Sequence, residues 1–266
     1  MKTGRIKLKK VNIAVFFLFI LILGCNTNKK GEATNSTKAN ELSKDEISDG
    51  WMLLFDGKTL KGWRGIGKNI VPETRWKVEN GTIRNIGSGE VKSLADGQPA
   101  DGGDIITVKK FDNFELYFEW KILVGGNTGI KYNVSEEMSM MVEPKYSALG
   151  LEFQLLDDEA PDYKGAIDSA HMCGSLYDMI PARNKHLNPP GEYNSGRLLV
   201  NGNHIEHWLN GEKVIEYELN SRQLDSLYQK SKYMDYPEFL TKRTGHIVVQ
   251  NHKDDAWFRN IKIREL

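Results

Sequence analysis

The run Glu152-Phe153-Gln154 holds the side chains with the clearest chemical potential in this sequence. Alternation along a β-strand places Glu152 and Gln154 on one face, and Leu151, Phe153 and Leu155 on the other. A carboxyl group beside a carboxamide can line a ligand cleft, where Glu152 would act as a general base. The alternative is a solvated strand face without function.

A glycine-rich run from Gly125 to Gly129 opens a second strand. Asn127, Gly129 and Lys131 share one face of that strand, and glycine lets a ligand approach the backbone closely. No helix pattern follows the run, which argues against a phosphate-binding loop. We expect either a binding surface that includes Asn127 and Lys131, or a plain turn.

The run Glu206-His207-Trp208 precedes a tight turn and offers two alternatives. His207 and Leu209 point to one side of the strand, whereas Glu206 and Trp208 point to the other. Either Trp208 stacks on a ligand ring, or Trp208 lies in the core and His207 faces the ligand. Tryptophan is more often part of the core, so His207 is the favoured polar participant and a second candidate base.

Two loops carry further polar side chains, and loops on a rigid scaffold often carry function. His171, Tyr177 and Asp178 flank a Gly-Ser turn, and Glu192 and Asn194 lie on a Pro-Pro-Gly loop. We regard these residues as candidate ligand contacts.

Asp157 and Asp158, followed by Glu159, could hold a divalent cation, because hard cations prefer oxygen ligands. A charged turn is the favoured interpretation, and no other cofactor is expected. The segments rich in histidine and acids lack His-x-x-x-His and Cys-x-x-Cys spacings, so the sequence does not predict a zinc site. Arg259 could bind ligand or pair with an acid, and pairing is favoured.

Short apolar or alternating runs predict an all-β fold. The predicted strands are Trp76–Val78, Thr82–Asn85, Asp104–Val108, Phe114–Ile122, Gly129–Asn133, Leu151–Leu156, Gly174–Tyr177, Gly196–Asn201, His204–Leu209, Lys213–Leu219, His246–Gln250 and Ala256–Arg264. Asn80-Gly81, Asn201-Gly202 and Asn210-Gly211 supply the positive-φ pairs that tight hairpins need. One helix is predicted near residues 221–232, capped by Ser221 or Asn220. Many short strands with frequent turns indicate a two-sheet sandwich or jelly roll.

The N-terminus predicts export. Five basic residues precede the apolar run 11–24, which is shorter than the ~20 residues of a bilayer span but suits a signal peptide. The junction Ile22-Leu23-Gly24-Cys25 resembles the lipobox of bacterial lipoproteins, which implies diacylation of Cys25 and stable anchoring. Residues 25–47 form a predicted polar tether, and residues 48–266 the folded domain. No acidic cluster follows Cys25, which favours an outer-membrane anchor facing the periplasm.

Charge and cysteine content narrow the function further. Loss of residues 1–24 leaves 31 basic residues against 36 acidic ones, so the mature chain is mildly acidic. A chain without a basic tract is a poor candidate for nucleic-acid binding. Cys173 is the one thiol besides Cys25, so no intrachain disulfide between unmodified thiols is expected. The remaining ~220 residues suit one domain.

Motifs across the whole domain resemble one family. They are Leu54-Phe55-Asp56-Gly57-Lys58-Thr59-Leu60-Lys61-Gly62-Trp63, Asn113-Phe114-Glu115-Leu116, Gly125-Gly126-Asn127-Thr128-Gly129-Ile130, residues 150–158 (GLEFQLLDD), Gly174-Ser175-Leu176-Tyr177-Asp178, Pro189-Pro190-Gly191-Glu192-Tyr193-Asn194, Ile205-Glu206-His207-Trp208-Leu209-Asn210-Gly211, Gly245-His246-Ile247 and Trp257-Phe258-Arg259-Asn260-Ile261-Lys262-Ile263. In this order and spacing they are similar to the 3-keto-disaccharide hydrolase family. The departures are Thr128 for serine, Tyr193 for tryptophan, and Cys173 in place of a small residue.

The resemblance implies a concanavalin A-like jelly roll with a sugar site on its concave sheet, active on glycosides oxidised at C3. Such a reaction needs a base, a donor for the enolate oxygen and an acid for the leaving oxygen. The candidates are Glu152 or His207, then Lys131 or Asn127, then Tyr177 or His171. Gln154, Glu192, Asn194, Trp208 and Arg259 complete the expected substrate contacts.

Two other functions stay open from the sequence. A retaining β-glycanase on the same fold would need two carboxyls ~5–5.5 Å apart, and Gln154, which cannot ionise, weakens that alternative. A non-catalytic sugar-binding lipoprotein could use the same aromatic and amide side chains.

Overall fold

The computed structural model describes Met1 and residues 38–87, 103–141, 147–236 and 238–266. Its strands are β1 (Met52–Leu53), β2 (Trp63–Gly65), β3 (Trp76–Glu79), β4 (Thr82–Asn85), β5 (Ile105–Thr107), β6 (Phe114–Ile122), β7 (Asn127–Val134), β8 (Leu151–Leu156), β9 (Asn194–Asn201), β10 (His204–Leu209), β11 (Glu212–Glu218), β12 (His246–Val249) and β13 (Ala256–Glu265). The α-helices are α1 (Lys44–Ser48), α2 (Glu136–Met141) and α3 (Arg222–Tyr228), and Ser169–His171 form a 3₁₀ turn.

The strands form two antiparallel sheets. Sheet A has the order β11-β10-β9-β6-β13-β4-β3, with β1 paired to β13, and sheet B has the order β2-β5-β12-β7-β8. This architecture confirms the predicted all-β jelly-roll sandwich of two antiparallel sheets.

Period-two alternation explains how sheet A buries one face. Phe114, Leu116, Phe118 and Trp120 of β6 are almost fully buried, whereas Tyr117, Glu119 and Lys121 face outward and are only partly covered. The inner rings meet sheet B directly, because Phe118 packs edge-on against Phe153 of β8 at 5.6 Å. The core therefore lies between the sheets, as the alternation predicts.

The hairpin signals mark real turns, with one difference in geometry. Asn80-Gly81 and Asn210-Gly211 each have two positive φ angles, as a type I′ turn requires. Between β9 and β10 the loop is Gly202-Asn203, since Asn201 pairs with His204. Only Gly202 has a positive φ there, so the predicted Asn201-Gly202 pair was placed one residue too early.

Eleven of the twelve predicted strands form, but Gly174–Tyr177 does not. Gly174 and Asp178 have positive φ, which ends extended structure on both sides, and Leu176 makes only isolated bridges. The short strands β1 and β2 were not predicted. The predicted helix ends at Tyr228 instead of Lys232, and α1, α2 and the 3₁₀ turn are additional to the single expected helix.

Residues 38–47 belong to the predicted tether, yet they contact the sandwich. Asn40 and Asn260 exchange side-chain and backbone hydrogen bonds, and Asn40 Nδ2 donates to Gly81 O. Helix α1 begins with a capping box between Ser43 and Glu46, and Glu46 pairs with Lys262 of β13. The predicted signal peptide, Cys25 and residues 26–37 lie outside the described residues. None of the described helices is both long and apolar enough to cross a membrane.

Candidate active site

A narrow polar pocket of about 20 Å³ opens on the outer face of sheet B. Its lining residues come from five parts of the fold: Asn127, Glu152, Gln154, Tyr177, Lys232, Gln250 and His252. Four of these, namely Asn127, Glu152, Gln154 and Tyr177, were predicted from the sequence. The volume suits one functional group of a ligand, since a single water needs at least ~10–15 Å³.

Glu152 is the chemical centre of the pocket. Phe153 points into the core, so Glu152 and Gln154 share the outer face as predicted, and Glu152 is only 4% exposed. Burial raises the pKa of the Glu152 carboxyl, while the neighbouring Lys131 opposes that rise. Glu152 Oε1 fills the space above Gly129, where a Cβ would lie only 3.1 Å from Glu152 Cδ. A carboxyl with a raised pKa in a pocket is suited to accept a proton.

The irregular segment 174–177 positions Tyr177. It runs along the free edge of β8, where Gly174 N donates to Gln154 O at 2.8 Å and Tyr177 N donates to Glu152 O at 3.1 Å. The rings of Tyr177 and His171 lie 4.7 Å apart. His171 Nε2 is 2.8 Å from Asp178 Oδ1. The structure thus brings Tyr177 to Glu152 and places His171 behind it.

Three lining residues were not predicted. Lys232 lies in the turn after α3, with its Nζ 4.6 Å from the Tyr177 ring centroid, and its backbone N–H donates to Asp178 Oδ2. Gln250 and His252 follow β12, and both are buried. The available signal was the polar run 250–252 directly after the buried strand β12.

Lys131 lies beneath the pocket and is not among its lining residues. Its Nζ donates to Ala148 O at 3.1 Å and lies 3.9 Å from Glu152 Oε2. This contradicts the expectation that Lys131 contacts the substrate, because the ammonium group is turned toward buried carboxylates. Lys232 is the cation that faces the pocket.

His207 lies in the core, which corrects the prediction that it faces a ligand. It is fully buried, and its ring stacks on Phe153 at 4.5 Å. Nδ1 donates to Gly174 O, so the neutral Nε2 accepts from Tyr132 Oη, 2.7 Å away. Burial lowers the pKa of His207 to about 4. A neutral, enclosed imidazole cannot reach a substrate at Glu152, on the other side of sheet B.

Trp208 and Arg259 lie on the outer face of sheet A, away from the pocket. The guanidinium of Arg197 covers the Trp208 ring at 3.9 Å, and Trp208 Nε1 donates to Glu206. Trp208 is therefore neither core nor a free stacking platform. Arg259 Nε donates to Glu119 Oε2 at 2.6 Å, which agrees with the favoured pairing.

Glu192 and Asn194 belong to a separate cleft of about 320 Å³ that also contains Trp120, Pro189 and Pro190. Asn194 Oδ1 accepts from Asn188 N and from Asn210 Nδ2, so its role there is to hold loops together. The structure does not bring either residue to Glu152.

The acidic turn after β8 uses its carboxylates within the protein. Asp157 Oδ2 accepts from Gly125 N at 2.9 Å, and Asp158 Oδ1 accepts from Cys173 N at 2.8 Å. Asp158 Oδ2 also pairs with Lys185 at 2.5 Å. Because these oxygens point to separate donors, the geometry favours the charged turn over a divalent-cation site.

One triad in the described part of the chain has ligand atoms close enough for a metal: His204, Glu206 and Glu216 on sheet A. Lys213 Nζ pairs with both carboxylates. The ammonium group therefore already supplies the positive charge at this position.

The fold and the pocket define a jelly-roll protein with a buried carboxylate in a polar surface pocket. The chain belongs to the 3-keto-alpha-glucoside-1,2-lyase-like domain family, whose sequence profile matches residues 50–264. It is 40% identical over 253 residues to a 3-keto-disaccharide hydrolase of Bacteroides thetaiotaomicron, covering 88% of this chain and 85% of that protein.

Solved structures agree with this assignment. A protein of Parabacteroides distasonis assigned as a glycosyl hydrolase superposes with a TM-score of 0.73 at 31% identity, covering 86% of this chain and all of that one. A second such protein from the same organism gives a TM-score of 0.58 at 26% identity, covering 81% and 99% of the two chains.

Proposed function

We propose that this protein cleaves 3-keto-glucosides, with Glu152 as the base that removes the proton at C2. The support is the family, a relative named for hydrolysis of 3-keto-disaccharides, and the composition of the pocket. Glu152 is the one carboxylate among the described residues that line it. This single observation carries the mechanism, because proton abstraction needs one base.

The chemistry follows from the ketone. A carbonyl at C3 acidifies the C2–H bond, so Glu152 takes the proton and the electron pair forms an enolate at C3. The enolate then re-forms the ketone as the C1–O bond breaks and C1=C2 forms. The leaving oxygen takes the phenolic proton of Tyr177. Water then adds its hydroxyl to C1 and returns its other proton to the Tyr177 phenolate, while C2 regains a proton from Glu152 after that carboxyl has exchanged with solvent, which gives the 3-keto sugar and the free aglycone.

The other lining residues have complementary roles. Lys232 presents a cation where negative charge develops on the enolate oxygen, the kind of interaction that stabilises such intermediates. Tyr177 can donate its phenolic proton to the leaving oxygen. Asn127, Gln154 and Gln250 offer amide groups for the sugar hydroxyls, and the buried Gln250 Oε1 has no hydrogen-bond partner within the described residues.

The two alternative functions fit the pocket less well. A retaining glycanase requires a second carboxyl ~5–5.5 Å from the first, and the neighbour on the same strand face is Gln154. A non-catalytic binder would not require a buried carboxyl with a raised pKa at the centre of the site.

The decisive experiment compares wild type and Glu152→Gln on paired 3-keto and unoxidised glucosides, with product analysis by chromatography and with and without chelator. Loss of a positioned base typically costs ~10²–10⁴ in rate. We expect Glu152→Gln to lose that much activity while it still binds the sugar. Full activity of the variant would rule out the assignment, and equal cleavage of unoxidised glucosides would favour the glycanase.

Turnover in heavy water tests the reaction path. Abstraction at C2 should place deuterium at C2 of the product, whereas direct displacement at C1 should not. A control incubation of the 3-keto product with Glu152→Gln measures exchange that occurs without catalysis. A product free of deuterium at C2 would contradict the mechanism.

We also propose that the protein is exported and lipid-anchored at Cys25, at the outer membrane and facing the periplasm. The support is the basic and apolar run of residues 1–24 and the Gly24-Cys25 junction. We expect Cys25→Ala to accumulate as an unprocessed precursor in native cells. Recovery of wild type in a detergent-free soluble fraction would contradict the proposal.

A further inference from the structure

A chain of three buried charged side chains lies behind the pocket. Lys131 Nζ is 3.6 Å from Asp104 Oδ2 and 3.9 Å from Glu152 Oε2. The three side chains are at most 5% exposed. The Lys131 ammonium group therefore interacts with both carboxylates in a region where water screens the attraction between the charges poorly.

The far end of this chain is held by the backbone. Asp104 Oδ1 accepts from Asn251 N at 2.8 Å, and Asp104 Oδ2 accepts from Ala148 N at 3.0 Å. Lys131 Nζ donates to Ala148 O. Asp104 and Lys131 thus have fixed positions, and of the three groups Glu152 alone reaches the pocket.

We propose that Lys131 and Asp104 are positioning residues that act on the reaction through Glu152. Lys131 favours the ionised, proton-accepting form of Glu152 and holds it toward Gly129. Asp104 limits this effect, since it competes for the same ammonium group and repels the Glu152 carboxylate. The balance keeps Glu152 ionised for catalysis but basic enough to take a proton from carbon. This inference rests on the proposed role of Glu152 as the base.

Other polar groups also face Glu152, each from a different element. Lys131 comes from β7, Asp104 precedes β5, Lys232 follows α3, His252 follows β12, and Tyr177 lies on the segment beside β8. Lys131 and Lys232 are the two largest charge effects that oppose the raised pKa of Glu152, and Asp104 adds to the rise. Lys232, His252 and Tyr177 stay unchanged in the variants below.

The test is the pH profile of kcat/KM on a 3-keto-disaccharide, because its acidic limb reports the base of the free enzyme. Lys131→Met should move that limb to higher pH by about one unit or more, the usual effect of an opposite charge at this distance. Asp104→Asn should move it to lower pH. The double variant should lie between wild type and Lys131→Met, since it removes both charges.

Lys262→Met is the matched control. Lys262 is another mostly covered lysine paired with a carboxylate, Glu46, but it lies on sheet A. Its loss should leave the acidic limb where it is in wild type. Far-UV circular dichroism and thermal unfolding identify the folded variants, and the two single variants give independent tests if one of them fails to fold.

The outcomes separate this inference from the proposed function. An unchanged acidic limb in folded Lys131→Met or Asp104→Asn overturns the inference. A shift of the acidic limb in the same direction in both single variants overturns it as well. Full activity of Glu152→Gln overturns the base assignment instead. An inactive Glu152→Gln beside a folded Lys131→Met with a wild-type profile removes only the roles of Lys131 and Asp104.

Discussion

At the residue scale, the environment of Glu152 depends on the absence of a side chain at Gly129. The carboxylate occupies the hollow over this glycine. Strand β7 therefore sets the position of the proposed base through the missing side chain of Gly129 as well as through the ammonium group of Lys131. A sugar carbon acid reacts only if the base is aligned with the C–H bond, and misplacement by about 1 Å can cost ~10²-fold in rate.

We therefore predict that Gly129→Ala lowers kcat/KM by roughly 10²-fold. The added methyl would push the Glu152 carboxylate aside, and because the displaced atoms are the end of a flexible side chain, the fold should survive with little loss of stability. Steady-state kinetics and thermal unfolding measure the two effects. A folded Gly129→Ala protein with wild-type kinetics would show that the carboxylate position is unimportant.

His207 gives a second prediction at this scale. Its pKa in the folded protein is lowered to about 4, whereas an unfolded histidine titrates near 6.5. Between these values the unfolded chain binds an extra proton, so stability falls as the pH falls, by up to ~1.4 kcal/mol per pH unit.

His207→Gln should remove this contribution. Urea unfolding at pH 7 and pH 5 should show that wild type loses about 2 kcal/mol more than the variant over this interval. The variant should also keep its catalytic activity, because the side chain lies in the core. An equal pH dependence of stability in both proteins would mean that His207 is not held neutral. A 10²-fold loss of activity in a stable variant would make His207 a candidate base again.

At the element scale, the two faces of a strand in sheet B carry different side chains: the outer face lines the pocket and the inner face packs in the core. The outer face of β8 carries Glu152, whereas the inner face carries Phe153, which packs against Phe118 of β6. On β9, Gly196 leaves room for that Phe118 ring, since a Cβ there would lie 2.8 Å from Phe118 Cε1 and closer still to other ring atoms.

Gly196→Ala should consequently destabilise the protein by about 1–3 kcal/mol, the usual cost of overpacking a core. In contrast to Gly129→Ala, its folded fraction should keep wild-type kcat/KM. Urea denaturation followed by kinetics below the unfolding transition measures both quantities. If Gly196→Ala is as stable as wild type, the Phe118 ring can shift to make room for the added methyl group, and the core is not tightly packed at this position.

At the scale of the whole molecule, the N-terminal residues and the pocket lie on opposite sheets. Asn40 and Glu46 bind β13 and the β3–β4 turn of sheet A, whereas Glu152 opens on the outer face of sheet B. The attachment of residues 38–48 is thus separate from the face that carries the pocket.

We predict that Asn40→Ala lowers the free energy of unfolding by about 1–2 kcal/mol, because it removes two side-chain hydrogen bonds, and leaves kcat/KM unchanged. Asn220→Ala, at an exposed asparagine in the turn between β11 and α3, is the control and should change neither quantity. Chemical denaturation gives the stabilities. If Asn40→Ala is as stable as the control, residues 38–48 contribute nothing to the folded domain.

The sequence by itself determined all but the two short strands β1 and β2, two of the three hairpin turns, and four of the seven residues that line the pocket. Alternation in 114–122 and 151–156 fixes which side chains face the core, since neighbours along a strand must point to opposite faces. It thereby placed Glu152 and Gln154 on a common polar face. The Ser43-x-x-Glu46 capping box was also present in the sequence, although the helix that it starts was not predicted.

Only the tertiary structure decided which polar face became the site. Alternation could not tell whether the His207 side of β10 faced a ligand or the other sheet, because that choice depends on how the sheets stack. Lys232, Gln250 and His252 line the pocket beside Glu152 from segments far apart in the chain. The ammonium group of Lys131 lies beneath the pocket, between the buried carboxylates of Asp104 and Glu152. Such long-range proximity and buried-charge competition arise only when the sheets pack, which is why no local pattern contains them.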